Sequence, residues 1–172
     1  MCVIIVKRRG VPLPSRRELE AAARCNPDGA GFVSSSGISY RGLDFGLVVS
    51  LLETVPEEDE CIIHLRLATH GPVNARNCHP FEKGGVWFAH NGVLPVTPDK
   101  GKTDSETAFR RILYPVIEEH GLNSPELATA VDRIIGSSKF AFIKDGRIRL
   151  FGPFTEYGGR LYSNTRHLWP FW

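Results

Sequence analysis

An excess of charge of one sign is what this sequence most clearly lacks: 21 lysines and arginines face 19 aspartates and glutamates, a net of +2 over 172 residues. So mild a balance builds no polyanion-binding surface and argues against nucleic acid as a partner. Long apolar runs are missing as well. None approaches the ~20 residues that a helix needs to cross a bilayer, so no membrane association is expected. Cysteine is sparse: Cys2, Cys25, Cys61 and Cys78 match no disulfide spacing, and no signal-peptide pattern precedes them. Reduced thiols in a cytoplasmic protein are the expectation. There is no CxxC or HxxxH pair, so His64, His70, Cys78, His79 and His90 form no metal-ligand pattern, and neither metal nor cofactor is expected. Gly101-Lys102-Thr103 imitates the end of a phosphate loop, yet Val96 stands where that loop needs glycine. Repeats, linkers and low-complexity segments are absent too. With 42% hydrophobic residues, the chain is expected to be one domain over 1–172 with a sizeable core.

The β-branched run at 2–6 predicts a strand. Ser15, followed by Glu18 at the reciprocal position, predicts a capped helix that Asn26-Pro27-Asp28-Gly29 ends. Strands at 31–35 and 38–41 flank Ser36-Gly37, and Phe45, Val48, Val49 and Leu52 mark a helical stripe over 44–54. Further strands fall near 60–66 and 85–90. A long helix is predicted over 105–120, kinked by Pro115, and another from Pro125 to about 135. Strands at 139–144 and 147–151 flank the two-residue turn Asp145-Gly146, and a last strand lies near 160–163. Strands without regular strand–helix alternation favour an α+β fold with antiparallel sheets. The tail Leu168-Trp169-Pro170-Phe171-Trp172 reads as an exposed aromatic surface suited to docking on a partner.

Position 2 carries the most chemical information. Removal of Met1, ordinary before a small residue, would leave Cys2 bearing both a thiol and a free α-amine. An α-amine titrates near 7.7–8.0, so one residue would supply nucleophile and base together. Taken alone, Cys2 in an apolar run is equally a buried strand residue. Arg66 closes an apolar strand and is either a structural ion pair or a bidentate carboxylate clamp. Asn91-Gly92 is either a hairpin turn or an oxyanion hole, built from the Asn91 amide and the Gly92 N–H. Asp104 and Ser105 are helix caps, or else Asp104 faces a pocket and binds an ammonium group.

Met1-Cys2, Asn26-Pro27-Asp28-Gly29-Ala30-Gly31, Arg66-Leu67-Ala68-Thr69-His70-Gly71, Asn77-Cys78-His79-Pro80-Phe81, His90-Asn91-Gly92 and Thr103-Asp104-Ser105-Glu106 together resemble the glutaminase domain of class II glutamine amidotransferases, within the N-terminal-nucleophile (Ntn) hydrolases. The resemblance implies a four-layer αββα sandwich of two antiparallel sheets. It implies Cys2 as nucleophile with its α-amine as base, and Asn91 and Gly92 as oxyanion hole. Arg66 would bind the α-carboxylate of glutamine and Asp104 its α-ammonium, with Thr69 and His70 lining the same pocket. Two places depart from the family's pattern: Leu67 stands where members often carry an aromatic, and Cys25 and Asn26 stand where they often carry an arginine, with Arg24 one residue earlier. The function implied is hydrolysis of glutamine to glutamate and ammonia through a cysteine thioester, alone or as the glutaminase subunit of a separate synthetase. Two alternatives stand beside it: a catalytically inactive binding module that keeps the fold, and an amidohydrolase acting on another γ-glutamyl or small amide.

Overall fold

The first strand, β1 (Val3–Lys7), is buried along its whole length, which a β-branched run on both faces requires. The computed structural model describes the backbone of residues 1–69 and 71–171, and their side chains other than those of 170 and 171. α1 (Arg16–Cys25) starts at Ser15 with the expected reciprocal cap: the Glu18 N–H donates to Ser15 Oγ and the Ser15 N–H to the Glu18 carboxylate. β2 (Ala30–Ser34), β3 (Ser39–Gly42), α2 (Phe45–Leu52) and β4 (Cys61–Leu65) follow. β5 (Phe81–Lys83) and β6 (Val86–Asn91) precede α3 (Asp104–Ala108), a π-helical stretch at Phe109–Leu113, α4 (Tyr114–His120) and α5 (Pro125–Asp132). β7 (Lys139–Lys144), β8 (Arg147–Phe151), β9 (Thr155–Tyr157), β10 (Arg160–Tyr162) and a 3₁₀ turn at Arg166–Phe171 complete the chain.

The strands form a six-stranded sheet ordered β3-β2-β4-β1-β10-β9 and a four-stranded sheet ordered β5-β6-β7-β8, with every pairing antiparallel. Side-chain alternation divides the core into three layers. Val3, Ile5, Phe32 and Ile63 pack with Leu19 and Ala22 of α1 and Val48 and Leu52 of α2. The alternate residues Ile4, Val6, Val33 and Ile62 meet Ala89, Ala141 and Ile143 of the second sheet. That sheet turns Phe88, Phe140 and Phe142 outward onto Phe109, Leu113, Ile117, Leu127 and Val131. The result is helix, sheet, sheet, helix, the α+β sandwich that the motifs imply. Each fully buried aliphatic or aromatic side chain adds roughly 1.5–3 kcal/mol of transfer free energy.

The structure departs from the sequence-based expectations in a few places. Pro115 does not simply kink the long helix. Its missing N–H is accommodated by a widened π turn in which the Tyr114 N–H reaches the Phe109 carbonyl. Thr103, not Asp104 or Ser105, caps α3 by accepting from the Glu106 N–H. Asn91-Gly92 is no hairpin turn, because β6 pairs with β5 and β7 and the chain after Gly92 runs on toward α3. The aromatic tail is not exposed throughout: Leu168 is buried in the core beside α1, whereas Trp169 is 83% exposed. Trp172 lies outside the described residues. No helix among the described residues is long and apolar enough to cross a membrane.

Candidate active site

Two segments are tied together to place the site. The turn after α1 receives the chain beyond β4: the Asp28 N–H donates to the Arg66 carbonyl at 3.0 Å, and the Arg66 N–H donates to the Gly29 carbonyl at 2.8 Å. The Asp28 carboxylate accepts from the Ala68 N–H at 2.8 Å. Glycine is required here for room. A Cβ on Gly31 would lie 2.3 Å from the His79 carbonyl oxygen, and one on Gly29, whose φ is +119°, 2.4 Å from Cys78 Sγ. Those contacts bring the Asn77–His79 segment against the same edge.

Cys2, Arg66, Leu67, Ala68, Thr69, Asn77, His79, His90, Gly92, Thr103, Asp104 and Ser105 line one cleft of about 360 Å³, measured with its open mouth. Cys2 is partly exposed and docks on backbone: the Leu67 N–H donates to Sγ at 3.3 Å, and Sγ donates to the Leu67 carbonyl at 3.4 Å. Burial pushes the thiol above its ordinary pKa, while the Leu67 N–H, the positive N-terminus and Arg66 pull the other way. Arg66 is 4% exposed, and its Nη1 donates to the Pro72 carbonyl at 3.1 Å. That carbonyl also accepts from Asn77 Nδ2 at 2.9 Å, so the 72–77 loop is strung between the two side chains.

The opposite wall belongs to the second sheet and α3. Gly92 has φ +147°, and a Cβ there would lie 2.1 Å from Ser138 Oγ and 2.7 Å from Ser138 Cβ, so only glycine fits. Asn91 is not part of the lining. Its Nδ2 donates to Ser163 Oγ at 2.8 Å, and the same oxygen accepts the Ile4 N–H at 2.8 Å. Asn164 Nδ2 donates to the Cys2 carbonyl. The residues after β10 therefore hold Asn91 beside the strand that begins at Cys2.

Asp104 is half-buried, and its Oδ2 accepts the Leu94 N–H at 2.8 Å. Below the cleft three histidines are packed together. His79 Nδ1 lies 2.9 Å from His64 Nε2, which is 3.1 Å from the His90 carbonyl oxygen. Burial lowers all three pKa values, His64 to about 3, His90 to about 4 and His79 well below its usual range. Neutral imidazoles so paired are a structural floor, and among the described residues no group of three or more His, Cys, Asp or Glu is arranged to hold a metal ion.

Of the residues that the sequence singles out, the fold collects Cys2, Arg66, Thr69, Gly92 and Asp104 in one cleft, with Asn91 one residue behind it. His70 lies outside the described residues. Sequence reasoning gave no role to Asp28, Ser163 or Asn164. Each acts by a hydrogen bond to a distant segment, and only the Asn26-Pro27-Asp28-Gly29 string hints at one of them, Asp28. A thiol, a guanidinium, a carboxylate and a backbone N–H around one opening offer groups of both charges beside a nucleophile, a set that suits a small zwitterion.

The family model described as glutamine amidotransferases class-II matches residues 48–151. A candidate glutamine amidotransferase of Haemophilus influenzae is 48% identical over 60 residues, covering 28% of this chain and 20% of that protein. The glutamine phosphoribosylpyrophosphate amidotransferase of B. subtilis, solved with ADP and GMP, superposes with a TM-score of 0.64 at 16% identity over 98% of this chain, a likeness of fold. This chain spans 43% of that structure's length and 20% of the H. influenzae protein's. With the family model matching more than half of its residues, the chain belongs to the class II glutamine amidotransferases.

Proposed function

We propose that the chain hydrolyses the side-chain amide of glutamine, releasing ammonia and glutamate, with Cys2 as nucleophile once Met1 is removed. The observation that carries this reading is the convergence of Cys2, Arg66, Gly92 and Asp104 on one cleft, although they stand at the ends of four separate elements, β1, β4, β6 and α3. Arg66 takes the α-carboxylate and Asp104 the α-ammonium, which sets the amide at a fixed distance from Sγ. The α-amine of Cys2 accepts the thiol proton as sulfur attacks the amide carbon. The Gly92 N–H donates to the oxyanion, a service worth ~10²–10³ in rate, while Asn91, with its Nδ2 on Ser163 Oγ, backs it from behind the cleft. As the C–N bond breaks, the protonated α-amine of Cys2 returns its proton to the leaving nitrogen, so ammonia departs and a γ-glutamyl thioester remains. Water then attacks the thioester with the amine again as base, and the S–C bond breaks to give glutamate and the free thiol. Glutamate itself offers no nitrogen leaving group for that proton.

On the same reading, residues 1–172 act as one glutaminase unit that releases ammonia to solution or delivers it to a synthetase. The test is incubation of the mature protein with glutamine, which should yield equimolar ammonia and glutamate. Arg66→Ala should raise KM for glutamine by roughly 10²-fold, the loss of a charge-assisted bidentate contact, with Arg66→Lys falling between. An unchanged KM in Arg66→Ala contradicts the clamp. Hydrolysis of another γ-glutamyl amide with glutamine untouched would move the assignment to that substrate.

A further inference from the structure

We propose that His90 and Ser105 are positioning residues that fix the Asp104 carboxylate toward the substrate's ammonium group, an inference that rests on the glutamine reading above. Asp104 Oδ1 accepts the Ser105 N–H at 2.8 Å and lies 3.2 Å from Ser105 Oγ, while Oδ2 accepts the Leu94 N–H. Ser105 Oγ lies 2.7 Å from His90 Nδ1. The hydroxyl has a single proton, so it donates either to His90 or to Asp104.

The other ring nitrogen decides between them. His90 Nε2 is buried and has no hydrogen-bond partner among the described residues. A proton on Nε2 would be a buried, unpaired donor, a rarer and costlier arrangement than an unpaired ring lone pair. The proton therefore sits on Nδ1, which donates to Ser105 Oγ, and the hydroxyl donates onward to Asp104. Each donation polarises the next in a chain of this kind. Every partner that Asp104 meets is then a donor, as a carboxylate requires, and its rotamer is fixed from two sides.

The ring that starts the chain is itself immobilised. His90 is 2% exposed, Phe140 meets it edge-on with centroids 5.4 Å apart, and its carbonyl is 3.1 Å from His64 Nε2. Because His90 immediately precedes Asn91 and Gly92, the end of β6 supports the oxyanion donor through its backbone and the ammonium site through its side chain.

The experiment compares binding of L-glutamate and of glutarate, which lacks the α-ammonium, to the full chain by calorimetry. The native protein should bind glutamate more tightly. Ser105→Ala should weaken glutamate by about tenfold, the scale of one hydrogen bond to a charged group, and leave glutarate unchanged. Ser105→Thr, which keeps the hydroxyl, should restore the preference. A Ser105→Ala protein that discriminates as well as the native one, or that loses both ligands equally, overturns the proposal. If the native protein shows no preference, the assignment of Asp104 to the ammonium fails and the positioning role with it. Ammonia release measured on the same preparation reports separately on whether the glutamine reading stands.

Discussion

Replacing Cys2 by alanine is expected to lower ammonia release from glutamine by roughly 10⁴-fold or more, the scale seen when a covalent nucleophile is deleted and only binding and the oxyanion donor remain. A smaller loss of function is expected, for a different reason, from a protein whose N-terminus is extended by a non-removable segment. That protein keeps the thiol but turns the α-amine into an amide that accepts no proton. On the proposed mechanism a base is needed, because burial raises the Cys2 thiol above its ordinary pKa and the protonated form dominates near neutrality. The Leu67 N–H, 3.3 Å from Sγ, can steady the thiolate once formed, but it cannot take the proton. General-base assistance is worth ~10²–10⁴ in rate, so the extended protein should fall by that factor. Equal activity in the native and Cys2→Ala proteins would remove the nucleophile. Full activity in the extended protein would remove the amine.

Stability is expected to fall steeply below pH 6.5. In the unfolded chain the histidines titrate near 6.5, whereas in the folded chain His64 is held at about 3, His90 at about 4 and His79 well below its usual value by burial. Folded pKa values below unfolded ones mean that the unfolded state binds protons first. The stabilisation is therefore complete above pH 6.5 and is lost as pH drops toward 4. Three protons taken up only on unfolding give a slope of roughly 4 kcal/mol per pH unit. Set against a typical total of about 5–15 kcal/mol, that removes a large share of the stability before the carboxylates titrate. Denaturant midpoints measured from pH 7.5 to 4.5 check this. A flat profile between pH 7 and 5 contradicts it, and His64→Gln should shed about a third of the slope.

Local signals carried much of the fold. Ser15 with Glu18, Asp145-Gly146, and the continuous apolar runs of β1 and β7 each encode their element within a few residues, and the structure contains all of them. β5 and β9 are three-residue strands with exposed or charged residues in them, Glu82 and Lys83 in one and Thr155 and Glu156 in the other, so no apolar run marks them. The end of the chain was misjudged where Leu168 packs into the core, since exposure depends on what lies opposite and α1 is more than a hundred residues away in sequence. The candidate site was legible as a set of short motifs in order. Its architecture was not, because Ser163 links Ile4 to Asn91 only after β10 has paired with β1. The His90–Ser105–Asp104 chain likewise joins β6 to α3 across a loop.

Intact and peptide mass spectrometry of protein expressed in cells, acid-quenched during turnover of glutamine, addresses the central chemistry most directly. The expected chain begins at Cys2 and carries a γ-glutamyl group on that residue. A chain that retains Met1 and still releases ammonia from glutamine, or an adduct on any other residue, would contradict it.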